Sequence, residues 1–202
     1  MSMKLDLLVE SLRKAPVIER GKYRYFIHPL TDSIPPLEPE LLKEVCDAIV
    51  EAADLDVNYI VTMEAMGIHI GALTSQMTGL PLNIIRKRQY GMPGEMVLNQ
   101  TTGYSKGSMY LNNVKKGDVV TIIDAVISTG GTLIATINAL KSGGALIKDI
   151  VCVIERGDGV SEVKDATGFE AKTLVKIEVD DNRVKILKTP ISLKAFDTKA
   201  WI

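Results

Sequence analysis

Short apolar segments alternate with helical segments through the middle of the chain, and this alternation constrains the fold more than any other feature. The predicted strands are 59–63, 82–85, 119–123 and 150–154, and the predicted helices are 38–54, 67–78 and 132–141. Such alternation is typical of right-handed βαβ units, in which helices cover both faces of parallel strands. The sequence therefore predicts an α/β fold with a central parallel sheet of four or five strands. Ligands bind such sheets at the carboxyl ends of the strands.

The composition argues against several classes of protein. A length of 202 residues, of which 46% are hydrophobic, predicts a single domain spanning residues 1–202. Lys and Arg total 24 against 25 Asp and Glu, so the net charge of −1 provides no broad basic surface for nucleic acid or anionic membranes. No uncharged run has the length of a membrane span, and the N-terminus is amphipathic and contains acids, unlike a signal peptide. We expect a cytoplasmic protein.

Two β-hairpins and one long loop accompany the alternating segments. The hairpin patterns are residues 17–30, which carry Tyr23, Tyr25 and Phe26, and residues 173–187, which alternate about 180–182. Residues 89–106 contain three glycines, one proline and no clear period, which predicts a loop. Long loops in compact domains are usually functional, and we expect this one to move. Residues 188–202 show no pattern that places them.

The predicted strand 119–123 leads through Asp124 into a turn and then a helix. The turn consists of small and hydroxyl-bearing residues, Ser128, Thr129, Gly130, Gly131 and Thr132. Glycines let the backbone approach a ligand, and free N–H groups at a helix start bind phosphate. No Lys follows Gly131, as a Walker A loop would require, and the dinucleotide pattern G-x-G-x-x-G is absent. Taken alone, the turn could equally be a capped strand-to-helix connection without a ligand.

Four blocks of the sequence occur together in one enzyme family. In chain order they are IVTMEAMGIHIGAL, NIIRKRQYGMPGE, TTGYSKGSMYLN and VVTIIDAVISTGGTLIATIN. The chain resembles the type I phosphoribosyltransferases over about residues 16–187, most of all the archaeal hypoxanthine/guanine enzymes and more distantly the adenine enzymes. The resemblance implies a doubly wound sheet, a homodimer, and a small hood built from about residues 1–35 and part of the C-terminal region. It also implies a reaction that joins hypoxanthine or guanine to phosphoribosyl pyrophosphate (PRPP), giving IMP or GMP and pyrophosphate.

The resemblance implies a partner for each part of PRPP. The 5′-phosphate is expected in the turn of residues 128–132, and Asp124 is expected to accept hydrogen bonds from the ribose hydroxyls. The pyrophosphate is expected to meet Arg86 and Lys87, whose charge can stabilise the leaving group. A second group of residues would supply backbone N–H groups to the same pyrophosphate: Glu64, Ala65, Met66 and Gly67.

Other residues are expected to close the site and hold the base. In the family a mobile lid keeps water away from a ribosyl cation-like transition state, and here it corresponds to about residues 90–109. Tyr104, Ser105 and Lys106 lie near its returning end, and Lys106 is grouped with Asp124, Arg86 and Lys87 as a candidate catalytic residue. The candidate base-binding residues are Tyr25, Phe26, Glu155 and Arg156, although an aromatic hairpin is more often plain core.

Magnesium is expected to arrive on the pyrophosphate of PRPP and not in a cage made by the protein alone. His28 and His69 are far apart and show no ligand spacing, which argues against a histidine metal site. The two cysteines, Cys46 and Cys152, lie in apolar segments and are expected to be buried and reduced. The expected partners are thus PRPP and a purine base, with neither nucleic acid nor membrane.

The chain departs from the family at one position of the PRPP motif. Two adjacent acids follow the strand in the family, whereas here Asp124 is followed by Ala125. Placed beside the ribose, Ala125 would weaken PRPP binding, and Ala125→Asp would strengthen it. An alternative is a PRPP- or nucleotide-binding regulator without turnover, but the roughly 15 residues before Pro16 are too few for a helix-turn-helix. An adenine phosphoribosyltransferase is a further alternative.

Overall fold

A computed structural model describes residues 5–21, 23–101, 106–180 and 182–189. The helices are α1 (Asp6–Lys14), α2 (Pro29–Asp32), α3 (Pro39–Ala52), α4 (Ile68–Thr78), α5 (Gly131–Ser142) and α6 (Gly159–Thr167). The strands are β1 (Val17–Arg20), β2 (Tyr23–Phe26), β3 (Tyr59–Met63), β4 (Leu82–Ile85), β5 (Met96–Thr101), β6 (Lys106–Leu111), β7 (Val119–Ile127), β8 (Leu146–Arg156), β9 (Lys172–Val179) and β10 (Val184–Lys188).

A sheet of six strands forms the centre of the fold, in the order β10-β9-β8-β7-β3-β4. The five strands from β9 to β4 are parallel, and only β10 runs antiparallel to its neighbour. The prediction of a central sheet with four or five parallel strands is confirmed by the five strands from β9 to β4. The sixth strand was not predicted as part of the sheet, because the hairpin pattern of residues 173–187 gives no indication of where the hairpin docks.

Helices cover both faces of the sheet. On one face α1, α3 and α4 pack over a core that includes Ile60 and Ile123, both completely buried. On the other face, α5 and α6 cover a core that includes Val61 and Ile122, also completely buried. Alternate residues of β3 and β7 thus serve opposite cores, as the period of two in a strand requires. The predicted α/β class with helices on both faces is confirmed.

The two central strands are longer than their apolar runs indicate. β7 continues four residues beyond Ile123, to Ile127, and β8 begins at Leu146 and reaches Arg156. The sequence pattern stops at Ile123 because Asp124 breaks the apolar run. Since β7 continues through Asp124, consecutive residues there point to opposite faces of the sheet. This alternation decides which of them can reach a ligand.

The prediction that residues 89–106 form a loop is wrong for the second half of this segment. Residues from Met96 onward form the antiparallel hairpin β5–β6, while residues 102–105, including Tyr104 and Ser105, lie outside the described part of the chain. Leu98 and Met109 of this hairpin are buried beneath α5, and Tyr110 pairs through its backbone with Arg86 just after β4. The hairpin was not predicted, because the second half of β5 is polar and shows no alternation of apolar and polar residues. The expected mobility of this segment stays a prediction.

His28 is a buried polar residue that joins α1 to the region before α2. Its Nε2 lies 2.9 Å from the hydroxyl of Ser11, and its Nδ1 accepts the backbone N–H of Leu30 at 3.2 Å. Burial lowers the pKa of His28 to about 4, opposed only partly by the charge of Asp32. The neutral ring therefore supports this packing, and a protonated ring would be buried at a cost.

The free energy of unfolding is expected to fall as the pH is lowered through the window between the two pKa values of His28. The unfolded chain takes up the proton near the ordinary pKa of 6.5, whereas the folded chain resists it down to about 4. Stability is therefore complete above the higher value and is lost toward the lower one, by about 2–3 kcal/mol from this residue. Urea titrations at neutral and mildly acidic pH measure the loss. His28→Asn, which keeps a capping acceptor, should show a smaller loss, and an equal loss would contradict the assignment.

Candidate active site

A cavity opens at the carboxyl ends of β3, β4, β7 and β8, where the fold predicts a ligand site. Four groups of residues line it. They are Tyr23, Tyr25, Phe26 and Thr31 near the N-terminus; Met63, Glu64, Ala65 and Met66 after β3; Lys87 after β4; and Asp124, Val126, Ile127, Ser128, Thr129, Gly130, Gly131, Thr132, Leu133 and Cys152 from β7, α5 and β8. The cavity thus collects distant segments of the chain at one sheet edge.

The turn between β7 and α5 lines the cavity with backbone. Gly130 has a left-handed conformation (φ 71°), and no side chain caps the helix that follows. A Cβ at Gly130 would lie 2.7 Å from a methyl carbon of Val163 on α6, so only glycine fits here. The first N–H groups of a helix have no intrahelical partner and carry a partial positive charge. This turn can therefore bind an anion. It lines the cavity, and the sequence predicts it as the phosphate-binding turn.

Asp124 faces the cavity from an apolar stretch of β7. Its register partners are Met63 on β3, by extension of the β3–β7 pairing, and Cys152 on β8. Burial raises the pKa of Asp124 to about 7, while the hydrogen bond from the N–H of Ala125 to Oδ1, 2.8 Å long, acts in the opposite direction. The carboxylate is thus costly to keep charged in the ligand-free site. Hydrogen-bond donors on a ligand would lower that cost.

Ala125 lies on the opposite face of β7 from Asp124. It is completely buried in the core that also contains Ile123 and Val153, and it is not among the residues that line the cavity. The expectation that Ala125 sits beside the ribose is therefore wrong for this structure. The physical reason is the period of two in a strand, which turns the residue after Asp124 away from the site.

Gly67 allows the β3–α4 turn to approach Asp124 closely. A Cβ at this position would lie 2.9 Å from Oδ1 of Asp124 and would collide with the hydroxyl of Thr62. Thr62 cannot easily move, because its hydroxyl donates to the carbonyl of Ile123 at 2.7 Å. Gly67 was predicted to offer its N–H to the pyrophosphate, but it is not a lining residue and its N–H donates to the carbonyl of Met63 at 3.2 Å. Its importance here is steric, since any side chain would displace the carboxylate of Asp124.

Gly67→Ala is expected to destabilise the protein by about 1–3 kcal/mol, because the new methyl group must push aside Thr62 or Asp124. We also expect kcat/KM to fall, since the methyl group displaces the carboxylate of Asp124, which lines the cavity. Urea unfolding and initial-rate kinetics measure the two effects. Gly107→Ala is the matched control for stability, because a Cβ at Gly107 meets nothing within 4 Å. Equal stability of the two variants would contradict the close packing at Gly67.

The β3–α4 turn and the end of β4 are joined by an ion pair. Oε2 of Glu64 lies 2.7 Å from Nε of Arg86 and accepts the backbone N–H of Lys87 at 3.3 Å. The peptide bond between Glu64 and Ala65 is cis. Lys87 lines the cavity, whereas Arg86 lies behind Glu64 and is not among the lining residues. Of the two predicted cations, Lys87 therefore lines the site itself. Arg86 is linked to the site through its ion pair with Glu64, which lines it.

The N-terminal hairpin meets the phosphate-binding turn through Tyr23. The hydroxyl of Tyr23 lies 3.3 Å from that of Ser128, and the guanidinium of Arg156 lies 4.1 Å from the centre of the Tyr23 ring. Arg156 was predicted to bind the base, but it is not a lining residue and supports Tyr23 from behind. This contact links the hood side of the cavity to the turn after β7.

Glu155 does not reach the cavity. Its carboxylate pairs with the Lys176 ammonium at 2.8 Å and accepts from the hydroxyl of Thr173 at 3.4 Å, both on β9. Glu155 is 8% exposed, so these partners satisfy a carboxylate that is almost fully buried. The prediction that Glu155 contacts the base is wrong in this structure, because neighbouring residues of a strand point to opposite faces and Glu155 pairs across the sheet.

Sequence reasoning did not identify Thr31 or Cys152 as parts of the site. Thr31 belongs to the short helix α2, whose four residues are too few to produce a helical period. Cys152 was expected to be buried, and it is 1% exposed, but it also lines the cavity because it pairs with Asp124 across β7 and β8. The register of two strands is not visible in either strand alone. Lys106 begins β6, and its side chain lies outside the described structure.

Among the residues that the structure describes, no three His, Cys, Asp or Glu side chains come together as a metal-binding group. Two carboxylates, those of Glu64 and Asp124, line the cavity. Within the same described ranges, no helix combines the length and apolar character needed to cross a membrane.

A sheet of this topology, with an anion-binding turn after a strand that carries a half-buried acid, defines a phosphoribosyltransferase. The model of the phosphoribosyl transferase domain matches residues 41–186. Solved structures agree: adenine phosphoribosyltransferase from Thermoanaerobacter pseudethanolicus superimposes with a TM-score of 0.71 at 18% identity, covering 86% of this chain and 99% of that one. At this identity the likeness shows the fold, which is that of the type I phosphoribosyltransferases.

Similar sequences identify the family within that class. The hypoxanthine/guanine phosphoribosyltransferase of Methanocella paludicola is 57% identical over 183 residues, which cover 91% of this chain and 95% of that protein. The protein of the same name from Methanocaldococcus vulcanius is 56% identical over 182 residues, which cover 90% of this chain and all of that protein. The chain belongs to the archaeal hypoxanthine/guanine phosphoribosyltransferase family, and it is an enzyme that transfers a pentosyl group.

Proposed function

We propose that this enzyme salvages purines by joining hypoxanthine or guanine to PRPP, with release of pyrophosphate and formation of IMP or GMP. The observation that carries the proposal is the placement of the anion-binding turn, Asp124 and Lys87 around one cavity. The relatives named hypoxanthine/guanine phosphoribosyltransferase support the choice of base. Their high identity outweighs the likeness to adenine enzymes, which are 16–21% identical.

The 5′-phosphate of PRPP binds the turn of residues 128–132. The turn lines the cavity and leads into the first residues of α5, where N–H groups have no intrahelical partner and the helix dipole favours an anion. Ser128, Thr129 and Thr132 add hydroxyl donors around the same place. We place Asp124 beside the ribose, where its carboxylate accepts hydrogen bonds from the 2′ and 3′ hydroxyls. These bonds add to the hydrogen bond that the N–H of Ala125 already donates to this carboxylate.

The pyrophosphate leaving group lies between the β3–α4 turn and Lys87. Residues 64–66 bring backbone to this side of the cavity, and Lys87 contributes a positive charge. Arg86 holds Glu64 in place and adds charge nearby, so both cations favour the charge that builds on the departing group. Lys106, on the lid, is a further candidate cation for the closed state.

The reaction breaks the bond between C1′ and the pyrophosphate oxygen and forms a bond between C1′ and a ring nitrogen of the base. The electron pair of the broken bond leaves with pyrophosphate, and an oxygen of the departing pyrophosphate takes up the N–H proton that the base loses. Asp124 holds the ribose while positive charge grows at C1′, and residues 90–109 close over the site to exclude water. The base lies against the aromatic side chains of Tyr25 and Phe26, which line the cavity beside Asp124.

Magnesium accompanies the pyrophosphate in this proposal. Mg²⁺ is usually held by one or two carboxylates together with substrate phosphates. The described cavity contains two carboxylates, Glu64 and Asp124, which fits an ion that arrives on PRPP. The ion would neutralise part of the leaving-group charge. We also propose that the enzyme is a cytoplasmic homodimer, as the family resemblance implies, and light scattering of the purified protein would test the dimer.

A screen of purine bases with Mg·PRPP, following pyrophosphate release, tests the proposed function. We expect turnover of hypoxanthine and guanine and much slower turnover of adenine and xanthine. Exclusive turnover of adenine would show that adenine is the substrate, while the proposed type of reaction would stay the same. Tight binding of PRPP without turnover of any base would instead favour the regulator that the departure at Ala125 suggested.

A further inference from the structure

The carboxylate of Asp32 collects three hydrogen bonds from the N-terminal part of the cavity. Its Oδ1 accepts the hydroxyl of Tyr25 at 2.8 Å. Its Oδ2 accepts the hydroxyl of Thr31 at 2.6 Å and the backbone N–H of His28 at 3.1 Å. Asp32 itself does not line the cavity, but Tyr25 and Thr31 do. Asp32 therefore acts on the site through its neighbours.

These hydrogen bonds determine whether the two hydroxyl groups can donate or accept a hydrogen bond toward a ligand. A hydroxyl has one hydrogen and two lone pairs. The hydrogen of Tyr25 is directed to Asp32, and that of Thr31 is shared between Asp32 at 2.6 Å and the carbonyl of His28 at 3.3 Å. Both hydrogens are thus engaged within the protein, and the oxygens offer lone pairs to a further partner. Toward a ligand in the cavity, the two hydroxyls are acceptors and not donors. A charged acceptor holds this arrangement more firmly than a neutral one would.

We propose that Asp32 is a positioning residue that makes this wall of the cavity select a base with a hydrogen on N1. The inference rests on the proposed function, in which the base lies against Tyr25. Hypoxanthine and guanine carry a hydrogen on N1, whereas adenine has a lone pair there. Acceptor oxygens pair with the former and repel the latter. A site built to bond an N–H discriminates strongly against an analogue that lacks it.

The geometry requires a carboxylate at position 32. Both oxygens of Asp32 accept hydrogen bonds, and Oδ2 accepts two of them. In Asp32→Asn the amide oxygen can replace only one of these oxygens, and the NH₂ group becomes a donor. The better arrangement keeps the oxygen near Thr31 and His28 and turns NH₂ toward Tyr25. In this arrangement the hydroxyl hydrogen of Tyr25 is released and can donate to a base nitrogen, whereas Thr31 keeps the carbonyl of His28 as a second acceptor.

The test compares kcat/KM for hypoxanthine and adenine in the wild type, Asp32→Asn, Thr31→Val and Tyr25→Phe. We expect the ratio of hypoxanthine to adenine to fall about tenfold or more in Asp32→Asn, as an effect on the base KM. The KM for PRPP should stay within about twofold. Asp47→Asn is the matched control, since Asp47 is an exposed acid of α3 that pairs with Lys43 and does not line the cavity. Its ratio should equal that of the wild type.

Several outcomes would overturn the inference. An unchanged ratio in Asp32→Asn and Thr31→Val would show that these groups do not select the base. A general loss of activity with an equal rise in the KM for PRPP would show a merely structural role. Should Asp32→Asn fail to fold, Thr31→Val and Tyr25→Phe, which keep the side-chain shapes, decide the question alone. A wild type inactive on every purine would overturn the proposed function, and this inference with it.

Discussion

Replacing Asp124 by asparagine is expected to stabilise the ligand-free protein and to remove most of its affinity for PRPP. Burial raises the pKa of this carboxyl from 3.8 to about 7. Because the folded pKa lies above the unfolded one, the carboxyl supports the fold most at low pH. That support is lost as the pH rises through about 7, where the buried group must ionise. Asparagine has the same shape and never ionises.

The expected gain in the free energy of unfolding is about 2–4 kcal/mol at a pH well above 7, and it should shrink at pH 6. The loss of function follows from the hydrogen bonds proposed to the ribose. Each bond to a charged group contributes about 1.5–3 kcal/mol, so weakening both should lower kcat/KM for PRPP by about a hundredfold or more. Stability and activity would then change in opposite directions at one residue.

Urea titrations at pH 6 and pH 8.5, with kinetics on the same preparations, measure both effects of Asp124→Asn. Asp165→Asn is the matched control, since Asp165 is an exposed residue of α6. Its stability should stay within about 0.5 kcal/mol of the wild type at both values of pH. If Asp124→Asn were less stable than the wild type at the higher pH, the carboxylate would have a partner that offsets its burial.

The sequence was sufficient to predict the local parts of the site. The turn of residues 128–132 could be predicted because its glycines, hydroxyls and following helix are all within one short segment. Asp124 could be predicted for the same reason, since it directly follows an apolar run. The hairpin of β1 and β2 was visible as two β-rich runs about Gly21. In each case neighbours along the chain determine the structure.

Features that depend on contacts between distant segments could not be predicted in this way. Glu155 appeared free to bind a ligand until the β8–β9 register placed Lys176 beside it. The ion pair of Glu64 and Arg86 joins the ends of two strands. Asp32 carried no signal, because its importance lies in donors from β2, α2 and the residue before α2. Such networks form only when tertiary packing brings their members together.

The largest error of the prediction from sequence concerns the face of β7 on which Ala125 lies. Comparison with the family motif placed this residue beside the ribose, as a lost acid that Ala125→Asp would restore. The interpretation treated the two motif positions as equivalent because β7 seemed to end before them. The structure extends β7 to Ile127, so Asp124 and Ala125 diverge, and Ala125 is completely buried among apolar residues. The expected effect of the substitution is therefore reversed.

Ala125→Asp is expected to destabilise the protein by about 3–5 kcal/mol, because it places a carboxylate in an apolar core without a partner. A loss of this size is a large part of the 5–15 kcal/mol that usually separates folded and unfolded states. Thermal unfolding and soluble yield measure it, and Ala166→Asp, on the exposed side of α6, is the matched control that should lose less than about 1 kcal/mol. A stable Ala125→Asp enzyme with a lower KM for PRPP would show that the new acid reaches the ribose. In that case β7 must turn within the site, and the face assigned to residue 125 would be wrong.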